Sequence, residues 1–565
     1  MGGDRGVRDA GGWRDGGHTT PSSTWTRGRM MRRIGAVLAV TGLALVVVAP
    51  AAAATAATPP DDDTGRSWEV AATRGYLDRS TGSNVWTGAV ALLNVDDGSV
   101  RESPWGDYLP GYVAYGPDAR TLYTIGSVDG PSGEDELLFA AHDASSGDVL
   151  WTSTISSYFG LAVSPDGSVA MTARDKIDLA THEVVSFEPC VETVADAPRD
   201  VAFSPDGSTA WIVCRFWDGG APSQLRAYDV ATLSLIDTIE LTPEGTGGIT
   251  DVLGGIAITP DGSTAMLSGA WLRSVDPIFN QRALRVDLAT GTVASIVTDS
   301  SSMLGSVSIS PDGTRAYLST QQFFGEEQSA LWSLDVATMT LAASSPLENY
   351  GTYPIVTPDG AKVFATGYGP WGEAGERVAG ISAHDAATLA PLGATPLPGA
   401  GNLTVTPDQA PVARLTASEP NSPVTFDASA STVEFGSIAE YAWDFGDGVS
   451  TVTTTPTVEH EYAEPGEFTA TVRLTSSGGT STEDVYTGHQ LLRNGDASAV
   501  ATVTVAVPEP AVPEPAVPGS GVAGELPPAG FNGATWVIAG IGMLVAGALA
   551  VVIVRRRVQP QRKDA

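Results

Sequence analysis

A four-residue turn recurs through the middle of the chain, and in five of its seven copies Ser or Thr is followed by Pro, Asp and Gly. The first copy is looser (Tyr115–Asp118), and the last (Thr406–Asp408) lacks the glycine. Pro presets the backbone at the second turn position, and Asp and Gly favour its closure. The interval between successive turn prolines is 40 to 55 residues. Similarity at such a period is typical of solenoids and propellers, so one repeated unit must fill this region. The turn prolines are Pro117, Pro165, Pro205, Pro260, Pro311, Pro358 and Pro407.

A second motif, Asp-x-Ala-Thr or a close variant, alternates with this turn. Two hairpins per period give four strands, which is one propeller blade. The first, looser copy (Asn94–Gly98) has no turn before it, and the last turn (Thr406–Asp408) has no second motif after it. If the N-terminal strands around the first copy and the strand before the last turn form one blade, the ring has seven blades and no open edge. The other copies begin at Asp143, Asp178, Asp229, Asp287, Asp335 and Asp385.

Residues 65–409 as a whole resemble the bacterial surface-layer propellers with YVTN-type repeats, although the YVTN letters themselves are replaced. A different pattern begins at Ala410 and contains the run YAWDFGDG (Tyr441–Gly448), followed by Pro465–Val472. This pattern resembles the polycystic-kidney-disease (PKD) domain, an immunoglobulin-like β-sandwich, here predicted for residues 410–507. The resemblances imply an all-β chain, a seven-bladed β-propeller followed by a PKD sandwich, an arrangement associated with actinobacterial surface proteins.

The N-terminal segment predicts export. Arg32 and Arg33 precede an apolar run, and alanines suited to cleavage follow it, which is the order of a secretory signal peptide over residues 30–56. The alternative is an uncleaved membrane anchor. Residues 1–29 show no hydrophobic periodicity, so we interpret them as a non-structured leader upstream of the true start codon.

The C-terminal segment predicts anchoring. A Pro-rich spacer (508–525) leads to a short motif, an uncharged helix (534–554) long enough to cross a bilayer, and a basic cytoplasmic tail (555–565). This order resembles the LPxTG cell-wall sorting signal of Gram-positive bacteria, which sortases cleave and join to peptidoglycan. Ala529 replaces the usual Thr, and retention by the membrane helix is the alternative. The sorting motif consists of Leu526, Pro527, Pro528, Ala529 and Gly530.

Charge and motifs restrict the function classes. The chain has 65 acidic and 31 basic residues and a net charge of −34, which disfavours nucleic acid as a partner. It contains no nucleophile elbow, phosphate-binding loop or zinc-protease motif, so we predict no catalytic residue and no cofactor. Some PKD domains bind calcium through an Asp-rich loop; Thr432–Gly436 replaces that loop here, which leaves only weak Ca²⁺ binding open.

Several side chains are nevertheless candidates for a site. The repeated aspartates are better explained as turn formers than as ligands, and the propeller histidines (His142, His182 and His384) occupy hairpins of different blades. Cys190 and Cys214 form either a disulfide or two buried thiols. Carboxylates in the loops at the channel mouth either form a catalytic site or are simply solvated. Aromatic residues in the loops either bind a ligand or pack between blades. These loop residues are Asp251, Glu326, Glu327, Glu373 and Glu376, and Trp271, Phe323, Phe324, Tyr368 and Trp371.

The sequence therefore favours a non-enzymatic binding or adhesion protein on the outside of a Gram-positive cell. In this hypothesis a monomeric propeller head on a PKD stalk recognises a protein or glycan, and the C-terminus is held by peptidoglycan or the membrane. The alternative is an extracellular propeller enzyme (a lyase, lactonase or hydrolase) with its site at the central channel. A purely structural wall component is the third class.

Overall fold

The computed structural model describes residues 65–510 with internal gaps. Apart from one 3₁₀ turn, Ala497–Ala499, its regular elements are β-strands. The predicted leader, signal peptide, sorting motif, C-terminal helix and tail lie outside the described residues. Within the described part, no helix has the length and hydrophobicity that a membrane span needs. The gaps are 79–84, 105–107, 130–134, 191–196, 216–222, 243–251, 273–278, 299–301, 323–328, 348–349, 369–379 and 421–422.

Seven four-stranded antiparallel sheets, which we number as blades 1 to 7, contain the described strands between Glu69 and Val405. In blades 1 to 6 the chain runs from the inner strand to the outer one. Blade 7 is β1 (Glu69–Asp78), β2 (Val85–Asn94) and β3 (Val100–Pro104), completed by β28 (Ala400–Val405). Blade 1 is β4 (Leu109–Tyr115), β5 (Thr121–Asp129), β6 (Asp135–Asp143) and β7 (Val149–Thr154); blade 2 is β8 (Ala162–Val163), β9 (Val169–Met171), β10 (Asp175–Asp178) and β11 (Val184–Ser186). Blade 3 is β12 (Ala197–Phe203), β13 (Thr209–Arg215), β14 (Gln224–Asp229) and β15 (Leu235–Glu240); blade 4 is β16 (Val252–Ile258), β17 (Thr264–Leu272), β18 (Phe279–Asp287) and β19 (Val293–Thr298). Blade 5 is β20 (Ser302–Ile309), β21 (Arg315–Gln322), β22 (Ala330–Asp335) and β23 (Thr340–Pro346); blade 6 is β24 (Tyr350–Val356), β25 (Lys362–Tyr368), β26 (Gly380–Asp385) and β27 (Pro391–Pro396).

Blade 7 closes the ring in the manner that the repeat phase predicts. Its inner strand β28 comes from the end of the propeller, and its three outer strands come from the beginning. β28 pairs antiparallel with β1, with Val405 opposite Val70 and Leu403 opposite Ala72. The buried apolar side chains of neighbouring blades pack against one another, for example Val213 of blade 3 with Ile256 of blade 4. The predicted all-β fold class is confirmed.

The repeated turns lie together at one end of the ring, which we call the turn face. Turns between the first and second strands and between the third and fourth strands share an edge in an antiparallel sheet, so both motifs lie there. Each turn glycine adopts a positive φ, +67° at Gly167, which glycine tolerates without strain. A Cβ there would lie 3.1 Å from the ring of Pro117 in the preceding turn. Gly207, Gly262, Gly313 and Gly360 are placed against the preceding proline in the same way.

The sandwich follows the seventh turn directly. Trp443, Phe445 and Val472 are at most 2% exposed, which confirms the predicted inward alternation on these strands. Gly448, with a φ of +90°, ends the predicted hairpin turn. One sheet has the order β30 (Thr416–Ala417), β31 (Val424–Asp427), β34 (Thr457–His460); the other has β33 (Ser450–Thr453), β32 (Ile438–Asp444), β35 (Gly466–Ser476), β38 (Val500–Val507).

A third, small sheet connects the sandwich to the ring. Its strands are β29 (Asp408–Gln409), β37 (Leu491–Asn494) and β36 (Val485–Tyr486), in that order. β29 continues directly from the seventh turn and pairs parallel with β37. Propeller and sandwich thus belong to one compact unit, because the chain that leaves the ring is also a strand of the second fold.

Cys190 and Cys214 are joined by a disulfide in the structure, and both are at most 5% exposed. The bond links the end of blade 2 to β13 of blade 3 and closes a loop with a sequence separation of 24 residues. Cross-linking a loop of this size stabilises a fold by about 3 kcal/mol in the chain-entropy model.

We therefore expect the double variant Cys190→Ala/Cys214→Ala to unfold at a lower temperature than the oxidised protein, by differential scanning calorimetry. The oxidised protein treated with a reductant should shift in the same direction, whereas the double variant should not respond to the reductant. An unchanged unfolding temperature in both experiments would show that the bond contributes nothing.

Candidate functional site

A channel runs along the axis of the ring. Its described wall carries polar side chains from one repeat position, five residues before the turn proline. In blades 1, 3, 5 and 7 these are Tyr112, Asp200, Ser306 and Asn402. All four line a cavity of about 650 Å³, open solvent included. The ring therefore brings together polar groups that are far apart in sequence.

Backbone groups hold the Asp200 carboxylate in this wall, where the residue is 6% exposed. Its Oδ1 accepts a hydrogen bond from the Val201 N–H (2.9 Å), and its Oδ2 accepts one from the Ile256 N–H of the next blade (3.1 Å). Blades 2 and 4 have Gly160 and Gly255 at the same repeat position. A Cβ on Gly160 would lie 3.1 Å from Asp200 Oδ1, closer than ordinary contact, so glycine makes room for the carboxylate.

Residues 485–494 of the sandwich, which we call the cap hairpin, close the channel at the turn face. Main-chain carbonyls at its tip accept hydrogen bonds from backbone N–H groups of three successive blades. All three donors occupy one repeat position, two residues before the turn proline. The pairs are Ile258 N–H to Thr487 O (3.1 Å), Phe203 N–H to Gly488 O (2.8 Å) and Val163 N–H to His489 O (3.4 Å).

Side chains of the cap hairpin strengthen this closure. Tyr486 is 1% exposed, and its hydroxyl donates a hydrogen bond to a main-chain carbonyl of blade 2. Gln490 Oε1 accepts a hydrogen bond from the Thr404 hydroxyl of blade 7 at 2.6 Å. His489 Nε2 lies 3.1 Å from Asp200 Oδ1. The sandwich thereby contributes an imidazole to the channel, next to the propeller's carboxylate.

The His489–Asp200 pair should make stability depend on pH. Burial lowers the pKa of His489, but the Asp200 charge, its hydrogen bond and a backbone hydrogen bond with Val201 outweigh burial, so the pKa is raised above 6.5. A histidine whose pKa is raised on folding stabilises fully below its unfolded pKa, and the stabilisation is lost as pH rises through the folded pKa. We expect the urea midpoint to fall between pH 6 and pH 9.

The variant His489→Gln, which keeps a polar side chain without a titrating ring, should lose that part of the pH dependence. Equal falls in the urea midpoint for the variant and the original protein would contradict the assignment to His489.

The repeated aspartates form turns, as predicted. Asp206 Oδ1 accepts hydrogen bonds from the hydroxyl of Ser204 and the N–H of Ser208. In the second motif, Asp229 Oδ1 accepts hydrogen bonds from the N–H and hydroxyl of Thr232, which lower the pKa of Asp229. No three His, Cys, Asp or Glu side chains among the described residues converge as a metal site would require.

The propeller histidines contact different residues. His142 and His384 are at most 2% exposed and hydrogen-bond to Thr124 and Ser382 respectively. Burial lowers the pKa of both, that of His142 to about 4. The ring of His182 stacks on Trp151 of the preceding blade, with 4.0 Å between centroids. Each histidine therefore packs in its own blade or blade interface.

The loop candidates at the channel mouth lie outside the described side chains. This holds for the five carboxylates (Asp251, Glu326, Glu327, Glu373 and Glu376) and for the five aromatic residues (Trp271, Phe323, Phe324, Tyr368 and Trp371). The strands that flank these segments end at the face opposite the turn face, because successive turns of an antiparallel blade alternate between its edges. The sorting motif Leu526–Gly530 also lies outside the described residues.

Sequence reasoning missed Asp200 and His489. They are 289 residues apart and belong to different folds. His489 follows the last PKD motif that the sequence reveals, and nothing in its neighbours indicates a propeller partner. The one available signal was the repeat itself, since Asp200 is the charged member of a position that is elsewhere Gly, Tyr, Ser or Asn.

The chain matches one protein-family model, described as a PKD domain, over residues 408–489. None of the curated proteins compared matches it. Among solved structures it is similar to the Pseudomonas aeruginosa periplasmic gluconolactonase (17% identity, TM-score 0.41), over 60% of this chain and 99% of that one. It is also similar to the β-propeller domain of Swd1 from Myceliophteria thermophila (12% identity, TM-score 0.39), over 57% of this chain and 94% of that one.

Proposed function

We propose that this protein is a non-enzymatic binding protein of the cell surface, which presents the propeller face opposite the sandwich to a protein or glycan. The observation that carries the proposal is the cap hairpin, because it closes the channel at the turn face and leaves the other face for recognition. Strands of a rigid ring suit this role, since they hold recognition loops in fixed relative positions.

The rigid attachment of the sandwich supports the same proposal. The Arg66 guanidinium contacts Glu434 at 2.6 Å, and Arg66 N–H donates a hydrogen bond to the Glu434 carbonyl. On the other side of β29, the Asn494 amide donates a hydrogen bond to the Pro117 carbonyl of blade 1. With contacts at several blades, the sandwich would orient the ring and not merely tether it.

We further propose a Gram-positive, actinobacterial surface location. In this proposal the signal peptide (30–56) directs export, and Leu526–Gly530 is cleaved by sortase after Ala529, or the helix 534–554 keeps the chain in the membrane. Mass spectrometry of cell-wall digests distinguishes the two, since sortase leaves a C-terminal peptide ending at Ala529 joined to peptidoglycan. An intact peptide across Ala529–Gly530 in the membrane fraction would mean retention.

Binding is tested with the full chain displayed on Gram-positive cells and arrays of glycans and surface proteins. We expect specific capture that is lost when segments 273–278, 323–328 and 369–379 are replaced by Gly-Ser of equal length. Matched changes on the turn face, such as Asp206→Asn, should leave capture unchanged. Capture of nothing, or full capture by the loop-replaced chain, would overturn the proposal.

One observation favours the enzyme alternative. The Asp200–His489 pair lines a cavity and combines a carboxylate with a titrating imidazole, which is a common acid–base arrangement. Both groups, however, already bond across the channel closure. Hydrolysis of sugar lactones by the purified full chain, lost in Asp200→Asn while the fold is retained, would establish the alternative; no turnover would argue for binding alone.

A further inference from the structure

Arg199, next to Asp200 on β12, occupies a β-bulge. The register between β12 and β13 shifts between Pro198 and Asp200, so Arg199 is the extra residue. Bulges re-aim side chains and recur next to sites. Most blades have glycine at this position, six residues before the turn proline, and blade 3 is the one that places a cation there. The glycines are Gly111, Gly254, Gly305 and Gly401.

The Arg199 guanidinium has no acidic partner among the described residues. Its carbon lies 4.7 Å from the centroid of the Phe159 ring, a cation–π contact. Its Nε is buried and makes no hydrogen bond, and no residue of the described chain forms an ion pair with it. Burial lowers its pKa, although Tyr112 acts in the opposite direction. In a chain with twice as many acidic as basic residues, a half-buried cation without a carboxylate partner would be stabilised by an external anion.

Arg199 is placed on the inner strand of its blade, next to the part of the wall that Asp200 contributes to the channel. Inner strands run toward the turn face, so Arg199 lies one residue further from that face than Asp200. Phe159 comes from blade 2 and Tyr112 from blade 1, so three successive blades contribute to this region. Ser306 and Asn402 supply hydroxyl and amide groups to the adjoining cavity, which Asp200 also lines.

We propose that Arg199 binds the carboxylate of a hydroxylated monocarboxylic acid, a uronic acid unit of a glycan, at this end of the channel. A guanidinium matches a planar carboxylate with two parallel hydrogen bonds. The neighbouring Asp200 charge disfavours a dianion such as a phosphate monoester, because repulsion grows with ligand charge. The polar wall suits the hydroxyl groups of a sugar. The inference rests on the proposed binding function and names its ligand class.

The test uses the purified full chain in detergent, with sodium glucuronate as the probe, by isothermal titration and ligand-observed NMR. We expect glucuronate to bind, and glucose and glucose 6-phosphate to bind at least tenfold more weakly. Arg199→Met should weaken glucuronate binding at least tenfold. Arg199→Lys should weaken it less, because an ammonium group keeps the positive charge but cannot donate two parallel hydrogen bonds. The matched control is Arg315→Met on the turn face, where Arg315 pairs with Asp335; it should bind as the original protein does.

Three results would overturn the inference: no glucuronate binding, equal affinity of Arg199→Met, or tighter binding of glucose 6-phosphate. Unchanged circular dichroism and unfolding temperature of the variant separate lost binding from lost folding. The array experiment separates failure of the uronate assignment from failure of the proposed function. If cells displaying Arg199→Met still capture their surface ligand, the binding function holds and the carboxylate site is wrong.

Discussion

Replacing Asp408 with alanine is expected to destabilise the junction between ring and sandwich by about 3–5 kcal/mol, the range for breaking a buried charged network. The carboxylate is fully buried and accepts hydrogen bonds from the Trp68 indole (3.1 Å), the Thr480 hydroxyl (2.6 Å) and the Ser476 hydroxyl. Alanine would leave three buried donors without an acceptor, and each unsatisfied group costs about 1–3 kcal/mol. Arg493 would also lose a compensating charge.

The repeat supplies a matched control for this prediction. Asp206 has the same place in its turn as Asp408, but it is exposed and bonds only within the turn. Asp206→Ala should cost about 1 kcal/mol, the value of an ordinary hydrogen bond. Asp408→Asn keeps one acceptor oxygen, so its loss of stability should lie between those of Asp408→Ala and Asp206→Ala.

Hydrogen exchange followed by mass spectrometry is the suitable measurement, because it reports local opening at the junction and not only the unfolding of the whole chain. Asp408→Ala should speed exchange in peptides that cover β1 and β37, on either side of the junction. Exchange as slow as in Asp206→Ala would show that the buried carboxylate does not hold the junction. Burial raises the pKa of Asp408 despite its hydrogen bonds, so all variants should be compared at one fixed pH.

The ring could be predicted because its information is local and repeated. Most of the turns are recognised from Pro, Asp and Gly in order. The first copy of the second motif, at Asn94, has no turn before it, and the last turn, at Pro407, has no second motif after it. This is enough to predict that β28 pairs with β1. The sandwich core could be predicted for the same reason, since Trp443 and Phe445 alternate along one strand. Such patterns depend on residues that are close together in the sequence, so one sequence is enough to reveal them.

The junction and the candidate site could not be predicted, because they depend on contacts between folds. The seventh turn has Gln409 where five of the other six turns have glycine. The structure gives the reason: Asp408 and Gln409 leave the turn and pair with β37. Tyr486 and His489 have no periodic neighbours that reveal a buried role. Their environment is created only when the sandwich docks, so composition and spacing contain no trace of it.

The second large effect is expected at Asp200. Asp200→Ala removes the acceptor of the Val201 and Ile256 N–H groups and the partner of His489. Breaking a buried pair in this way costs about 3–5 kcal/mol, because the remaining polar groups stay buried without compensation. The exposed Asp237, on the outer strand β15, is the control for loss of one negative charge, and Asp237→Ala should leave stability nearly unchanged.

A double-mutant cycle separates the channel closure from the blade itself. If the His489 interaction carries part of the loss, Asp200→Ala and His489→Gln together should cost less than the sum of the single variants. The coupling should be smaller at pH 9 than at pH 6, because the stabilisation by the imidazole is lost as pH rises through its raised pKa. The bonds to Val201 and Ile256 do not titrate with the imidazole, so their share should persist at both pH values. Additive effects at pH 6 would mean that Asp200 stabilises the blades alone, and that the cap hairpin is held by its three backbone hydrogen bonds.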